Sequence, residues 1–261
     1  MSKPYFLIVP GSFAPAGLYD NFVELVRANG LDIKAIHLET VGLEPGKGRD
    51  TQPANMYDDA ALIAKEVEAL ADEGREVILI PHSYGGMPAT ESTKGLSVQE
   101  RQKKGKKGGL IRLAYKTVLL TTPGHSAMEV LEPPPDNESP AFDADDKGWL
   151  HMKDPDIAGT RTFSDLPFEE ARRWQGKFAL HSAVSFTNPL THAGYKDVPV
   201  SYLICEDDVV VPAEVQRREI ELIERETGNK VDVTSIKAGH APTASVPDQV
   251  LAWVLDLARK Y

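Results

Sequence analysis

The sequence predicts an α/β domain built on a doubly wound, mostly parallel sheet, and two observations lead to this prediction. Short continuous apolar runs, such as Tyr5–Val9 and residues 76–81, are typical of strands that are buried on both faces. Segments with helical spacing of apolar residues, such as residues 18–28 and 57–72, lie between those runs. Strands that alternate with helices pair in parallel through right-handed crossovers, so a doubly wound sheet follows.

The remaining elements are identified by the same criteria. The helix at residues 18–28 stops at Asn29-Gly30, a second strand is expected at residues 32–38, and the Gly- and Pro-rich residues 41–53 are expected to form a loop. The later strands are predicted at residues 76–81, 116–121, 198–205 and 231–236. The later helices are predicted from the end of the turn at residues 82–86 to about residue 93, and at residues 168–183 and 245–260.

One segment breaks this alternation. Residues 123–196, which we name the cap segment, are rich in Pro, Asp and aromatic residues. Open α/β sheets bind ligands at the carboxyl ends of their strands, and an insertion this long usually carries function. We therefore expect a core of residues 1–122 and 197–261, with a small, mainly helical cap at residues 123–196 inserted after the middle strands. An ordinary long connection with one helix is the alternative.

The composition excludes several classes of protein. Apolar residues make up 41% of the 261 residues, which is enough for a sizeable core, so a disordered chain is a poor interpretation. The net charge of −10 argues against binding to nucleic acid or to an anionic membrane. The basic run at residues 101–107 is compatible with nucleic-acid binding or nuclear import, but a solvated helix end and loop fits the acidic chain better.

The cysteine content and the lengths of the apolar runs indicate the cellular compartment that is expected for the protein. Cys205 is the only cysteine, so neither an intrachain disulfide nor a cysteine-based zinc cluster is expected. The N-terminal apolar run is too short for a signal peptide, and no run approaches the roughly 18 apolar residues of a membrane-spanning helix. We expect a cytoplasmic monomer or homodimer that acts on a small-molecule substrate, without cofactor, metal, nucleic-acid partner or membrane partner.

The residues PHSYGG at positions 81–86 carry the main chemical signal. They join the most apolar predicted strand to a helix through a tight turn, which lifts the Ser83 side chain clear of the sheet. Gly85 stands two after the serine, as a G-x-S-x-G nucleophile elbow requires, but Pro81 replaces the usual glycine two before it. Proline fits there only if its fixed φ suits the strand end. The alternative is that Ser83 merely caps the helix.

A serine hydroxyl needs a base within hydrogen-bond reach. On this type of elbow the chain order is nucleophile, acid and then histidine. Asp207 and Asp208 follow the strand predicted at residues 198–205, and His240, flanked by glycine and proline, follows the last strand. A carboxylate after a strand is often only a turn former, so position alone does not separate the two aspartates.

A developing oxyanion needs backbone N–H donors. These are expected from Tyr84, directly after the nucleophile, and from the turn that follows the first strand. In that turn, Gly11 allows close approach of the backbone; Ser12 is the preferred donor and Phe13 the next candidate. A plain strand-to-helix turn is the alternative.

Four short segments together resemble a known family: PGSF at residues 10–13, HSYGG at 82–86, EDDVVVP at 206–212 and AGHAP at 238–242. The chain resembles, over nearly its whole length, fungal and bacterial α/β-hydrolases related to plant methyl-ester esterases and hydroxynitrile lyases. The resemblance implies an α/β-hydrolase fold with a triad of Ser83, His240 and an aspartate. In that family the acid stands four before a proline, which selects Asp208.

The chain also departs from the family pattern. Pro10 replaces the usual histidine of the oxyanion turn, so contacts made by that histidine in relatives are lost. Lyase members carry a lysine directly after the catalytic histidine and a threonine in the oxyanion turn. Here those positions hold Ala241 and Gly11, which disfavours cyanohydrin cleavage.

The first functional hypothesis is therefore a serine esterase or lactonase. The aromatic residues of the cap segment favour a hydrophobic, even aromatic, substrate, and Phe13, Trp149 and Trp174 are candidate contacts, although each is equally compatible with core packing. A cofactor-independent lyase, carbon–carbon hydrolase or cyclase on the same triad is the second hypothesis. A non-catalytic ligand-binding protein is the third, because fold does not fix function.

Overall fold

Six parallel strands form the central sheet of the computed structural model, in which residues 3–131 and 142–261 are described. The strands are β1 (Tyr5–Val9), β2 (Asp32–Ala35), β3 (Glu76–Ser83), β4 (Gly109–Val118), β5 (Phe142–Ala144), β6 (Trp149–Met152), β7 (His181–Ser182), β8 (Val200–Cys205) and β9 (Asp232–Ile236). The central sheet has the order β2-β1-β3-β4-β8-β9, and all neighbouring pairs in it are parallel. The predicted fold class is therefore confirmed.

Helices connect these strands. They are α1 (Asp20–Ala28), α2 (Met56–Asp72), α3 (Gly86–Glu91), α4 (Val98–Lys103), α5 (Ala127–Val130), α6 (Pro155–Thr162), α7 (Phe168–Gln175), α8 (Ala213–Thr227), α9 (Pro242–Ser245) and α10 (Pro247–Arg259), with short 3₁₀ helices at Ala16–Tyr19, Ala183–Phe186 and Gly194–Lys196. Helix α2 begins at a capping box, in which Asn55 and Asp58 each accept the other's backbone N–H.

Burial on both faces explains the continuous apolar runs of strands β1, β3 and β8, whereas the edge strands β2 and β9 are partly exposed. Alternate residues of β1 point to opposite sides: Leu7 and Val9 pack with α2, α3 and α8, whereas Phe6 and Ile8 pack with α1 and α10. This two-residue alternation is inherent in strand geometry, so one strand supplies both cores.

The strand order places a topological switch between β1 and β3. After β1 the chain moves outward to β2, then returns to β3 on the other side of β1 and continues to β4, β8 and β9. Loops that follow β1 and β3 therefore diverge and leave a crevice at the carboxyl ends of the strands, where open α/β sheets bind ligands.

Several elements differ from their predicted bounds. Strand β4 begins at Gly109 rather than residue 116. Its first part was not predicted because Arg112 and Lys116 interrupt the apolar run, although β4 pairs with β3 from Gly109 onward. The helix predicted at residues 168–183 ends at Gln175, and Gly176 caps it. Helices α4 and α8 were not predicted, since charged residues dominate their sequences.

The cap segment contains a second sheet that the sequence did not predict. Its strands β5, β6 and β7 are antiparallel, and α5, α6 and α7 accompany them. Backbone hydrogen bonds from Ala179 to Phe13 and from Leu180 to Lys47 join the segment to loops of the core. Residues 132–141 lie outside the described residues, and the domain boundaries after residues 122 and 196 stay a prediction.

The basic run is only partly solvated. Arg101 is 2% exposed; its guanidinium donates to Asp72 at 2.5 Å and to the carbonyls of Lys107 and Gly108, so it closes the loop between α4 and β4. Lys106 pairs with Glu68 on the surface. Within the described part of the chain, no helix has both the length and the hydrophobicity needed to span a membrane.

Lys116 is a fully buried basic residue on β4, in register with His82 of β3 and Leu203 of β8. Among the described residues its Nζ has no hydrogen-bond partner, and it lies 5.6 Å from the centroid of the Tyr19 ring. Burial lowers the pKa of Lys116 to about 7, because the charged ammonium loses its hydration.

We expect Lys116→Met to raise the free energy of unfolding, because methionine fills similar space without an amine that must be desolvated. The unfolded chain holds the Lys116 proton up to a pH of about 10.4, whereas the folded protein releases it near pH 7. The advantage of the variant should be largest below about pH 7 and shrink as the pH rises toward 10. Thermal unfolding from pH 6.5 to 9.5, with the exposed Lys103→Met as control, tests this; a pH-independent difference would contradict it.

Candidate active site

Ser83 lies at the end of β3, on a turn whose backbone is tightly packed. Its φ of 52° is in the left-handed region, which is unusual for a residue other than glycine. A Cβ on Gly85 would lie 2.5 Å from the Pro10 carbonyl oxygen, and a Cβ on Gly86 would lie 2.6 Å from the Leu119 carbonyl oxygen. Only glycine fits at these two positions, so the sequence YGG permits the turn. Pro81 continues the strand in register with Val9.

The structure brings His240 to Ser83. The Nε2 atom of His240 lies 2.9 Å from the Ser83 Oγ, and its Nδ1 lies 2.7 Å from Oδ2 of Asp208. A carboxylate only accepts, so Nδ1 carries the proton and Nε2 is free to accept the serine hydroxyl. Ser83, His240 and Asp208 are 6%, 4% and 5% exposed.

Asp208, not Asp207, contacts the histidine. Its Oδ1 accepts the N–H groups of Val210 and Val211 at 2.7 and 2.9 Å, and the Thr117 hydroxyl donates to Oδ2. Burial raises the pKa of Asp208, but His240 and these donors outweigh that effect, so the net pKa lies below its ordinary value. The Asp207 side chain is exposed, and its backbone N–H binds the Ala238 carbonyl.

The candidate oxyanion donors differ in their hydrogen bonding. Among the described residues, the N–H groups of Ser12 and Tyr84 have no acceptor. The Phe13 N–H, in contrast, donates to Nδ1 of His181 at 3.3 Å, which favours Ser12 over Phe13 as a donor for a ligand. The Tyr84 hydroxyl donates to the buried Asp59 carboxylate at 3.0 Å, which anchors the residue; burial raises the pKa of Asp59 to about 6.

A buried chain of hydrogen bonds, which the sequence analysis missed, connects the oxyanion turn to the loop that carries His240. The Tyr19 hydroxyl accepts the Gly11 N–H at 3.4 Å and donates to Nδ1 of His82 at 2.9 Å. The Nε2–H of His82 then donates to the His240 carbonyl at 2.7 Å. Burial holds the pKa of His82 well below 6.5, so the ring stays neutral and keeps this tautomer.

His181 of the cap segment is a second residue that the sequence analysis missed. It is fully buried, and burial lowers its pKa to about 3. The neutral ring accepts the Phe13 N–H through Nδ1, donates through Nε2 to Ser185 at 3.0 Å, and packs edge-on against Tyr84 with centroids 4.6 Å apart. It therefore supports one candidate donor, Tyr84, and the neighbour of the other, Phe13, whose φ is 62°.

An open cavity borders Ser83 and His240. Its lining is mostly apolar and aromatic, and among the described residues no Asp, Glu, Lys or Arg side chain contributes to it. The aromatic residues of the lining are Phe13, Tyr19, Phe142, Phe163, Trp174 and Phe178. Phe13 stacks on Phe142 with centroids 5.1 Å apart.

The three candidate substrate contacts are thus placed differently. Phe13 and Trp174 line the cavity, and Trp174 stacks on Phe163 at 6.0 Å. Trp149 does not line it; the indole is 2% exposed and packs so closely over Gly48 that a Cβ there would lie 2.5 Å from the ring. Trp149 is therefore a packing residue of the cap segment, which was the alternative that the sequence left open.

The chain is similar to known proteins over nearly its whole length. A profile described as the alpha/beta hydrolase family matches residues 6–253. A probable hydrolase of Phoma sp., R7, is 33% identical over 258 residues, covering 99% of both chains. A pyrethroid hydrolase of Sphingobium wenxiniae is 28% identical over 267 residues, covering 99% of this chain and 89% of the relative.

The fold is also similar to that of a solved structure. The crystal structure of a pyrethroid hydrolase from Sphingobium faniae superposes with a TM-score of 0.74 at 23% identity, covering 99% of this chain and 98% of that one. The resemblance identified from four short segments is therefore confirmed, and the chain is an enzyme of the alpha/beta hydrolase family.

Proposed function

We propose that the protein is a serine hydrolase that cleaves a carboxylic ester or lactone of a small hydrophobic, aromatic substrate. The observation that carries the proposal is the Ser83 hydroxyl, 2.9 Å from the His240 imidazole at the edge of a cavity whose described lining is mostly apolar and without Asp, Glu, Lys or Arg. The relative named as a pyrethroid hydrolase supports hydrolysis of an organic substrate. A cytoplasmic location and a monomeric or dimeric state remain predictions from the sequence.

The geometry supports a two-step reaction. The Ser83 oxygen attacks the carbonyl carbon while Nε2 of His240 takes the hydroxyl proton, and Asp208 stabilises the imidazolium that forms. The carbonyl oxygen becomes an oxyanion, which accepts the N–H groups of Ser12 and Tyr84. His240 then gives the proton to the departing alkoxide, which leaves an acyl-enzyme. Water, deprotonated by His240, attacks the acyl carbon, and Ser83 leaves with the returned proton.

The cavity lining supports the substrate class. An ionised substrate group would lose its hydration without gaining an opposite charge, so uncharged molecules are favoured. The rings of Phe142 and Phe178 both stack on Phe13 in nearly parallel planes, at interplanar angles of 21° and 10°. Flat apolar groups pack well against such faces.

We expect Ser83→Ala to lower kcat for p-nitrophenyl acetate by at least about 10⁴-fold, and His240→Ala to have a similar effect, because the members of a triad act as a unit. Fluorophosphonate labelling followed by peptide mapping should modify Ser83. The exposed Ser235→Ala is the matched control. Full activity of a folded Ser83→Ala protein would refute the proposed function.

We expect Asp208→Asn to lower kcat/KM by about 10⁴-fold. A neutral amide does not stabilise the imidazolium, and its NH₂ group can donate to Nδ1 of His240, which favours the wrong tautomer of the ring. Asp207→Asn should change it by less than about two-fold, since its side chain is exposed. Steady-state kinetics with p-nitrophenyl acetate compares the two variants. Equal losses would leave Asp208 without a special role.

We expect Phe178→Ala to reduce discrimination in favour of aromatic acyl groups, because the ring stacks toward Phe13 across the cavity. The ratio of kcat/KM for methyl phenylacetate to that for methyl acetate should fall by about three- to ten-fold, which corresponds to about 0.5–1.5 kcal/mol for an aromatic contact. Phe168→Ala, which alters a half-exposed ring, is the control. An unchanged ratio would argue against an aromatic acyl site.

A further inference from the structure

A single carboxylate of the cap segment holds both sides of the histidine loop. Asp165 lies between α6 and α7, and its Oδ2 accepts the backbone N–H of Gly239 at 2.7 Å and the hydroxyl of Ser245 at 2.6 Å. Gly239 directly precedes His240, and Ser245 ends α9, which follows it. The carboxylate therefore bridges the chain on either side of His240.

The contact is close enough to restrict the loop. A Cβ on Gly239 would lie 2.8 Å from both Oδ1 of Asp165 and Oγ of Ser164, so the cap segment touches the backbone there. Two further bonds come from the core: the Asp207 N–H donates to the Ala238 carbonyl at 3.1 Å, and His82 donates to the His240 carbonyl. Three successive residues, 238, 239 and 240, are thus each held by a different segment.

We infer that Asp165 is a positioning residue that keeps His240 within hydrogen-bond reach of Ser83, an inference that rests on the proposed function. Proton transfer between these side chains requires a separation near the observed 2.9 Å. Without the bond to Gly239, the backbone before His240 loses its anchor on the cap side. Small displacements of this kind lower the rate of the chemical step more than they lower binding.

Three variants separate the hydrogen bonds from the charge. Asp165→Ala removes both bonds. Asp165→Asn removes the charge but keeps a carbonyl oxygen. Because both bonds go to one oxygen of Asp165, that carbonyl can still accept both donors. Ser245→Ala removes only the bond on the far side of His240 and is the matched control.

We expect Asp165→Ala to lower kcat for p-nitrophenyl acetate by about ten- to a hundred-fold, with KM changed by less than about two-fold. Asp165→Asn should recover most of kcat, and Ser245→Ala should stay close to wild type. Because the Asp165 side chain is exposed, thermal unfolding should change little. If the alanine variant fails to fold, Asp165→Leu supplies a branched side chain of similar shape without an acceptor.

Three outcomes would overturn the inference: wild-type kcat in Asp165→Ala, a loss confined to KM, or equal damage in Asp165→Ala and Asp165→Asn. A loss confined to KM would mean that Asp165 only closes the cavity. Ser83→Ala distinguishes the two proposals, because an inactive serine variant alongside a fully active Asp165→Ala would remove only the role of Asp165.

Discussion

The hydrogen-bond chain from Asp208 through His240 to Ser83 is the interaction on which the rest of the site depends. It joins the ends of β3, β8 and β9, and β9 lies three strands away from β3 in the sheet. At a spacing of about 4.8 Å per strand, the loop after β9 must reach back across about 14 Å to meet the serine. A loop that spans such a distance needs anchors along its length, and the bonds to Ala238, Gly239 and His240 supply them.

Two neutral imidazoles are as important to this arrangement as the reactive one. His82 and His181 both use Nδ1 as an acceptor, the first for Tyr19 and the second for the Phe13 N–H. Protonation would turn each Nδ1 acceptor into a donor, which at His181 would face the Phe13 N–H and break that contact. Burial lowers the pKa of both rings, so low polarity around the site maintains the tautomers that orient the oxyanion turn.

The sequence predicted the parts of the site that are tied to strand ends. Ser83 ends strand β3, and Asp208 and His240 follow strands β8 and β9. Parallel strands bring their carboxyl ends to one edge, so local pattern and topology were sufficient to bring the three residues together. Thr117, Tyr19 and His181 were not predicted, because their roles arise from contacts between residues remote in sequence. The small sheet of the cap segment was missed for a related reason: strands of two to four residues carry too little periodicity to be recognised.

Two of the hydrogen bonds between the cap segment and the catalytic apparatus differ in their exposure to water. The bond between His181 and Phe13 is fully buried, where a hydrogen bond has no competition from water. The bond between Asp165 and Gly239 involves an exposed carboxylate, for which water is an alternative partner. The contact at Asp165 is therefore the weaker of the two. The cap segment thus holds the oxyanion turn through a bond shielded from water, whereas it holds the histidine loop through a bond for which water can compete.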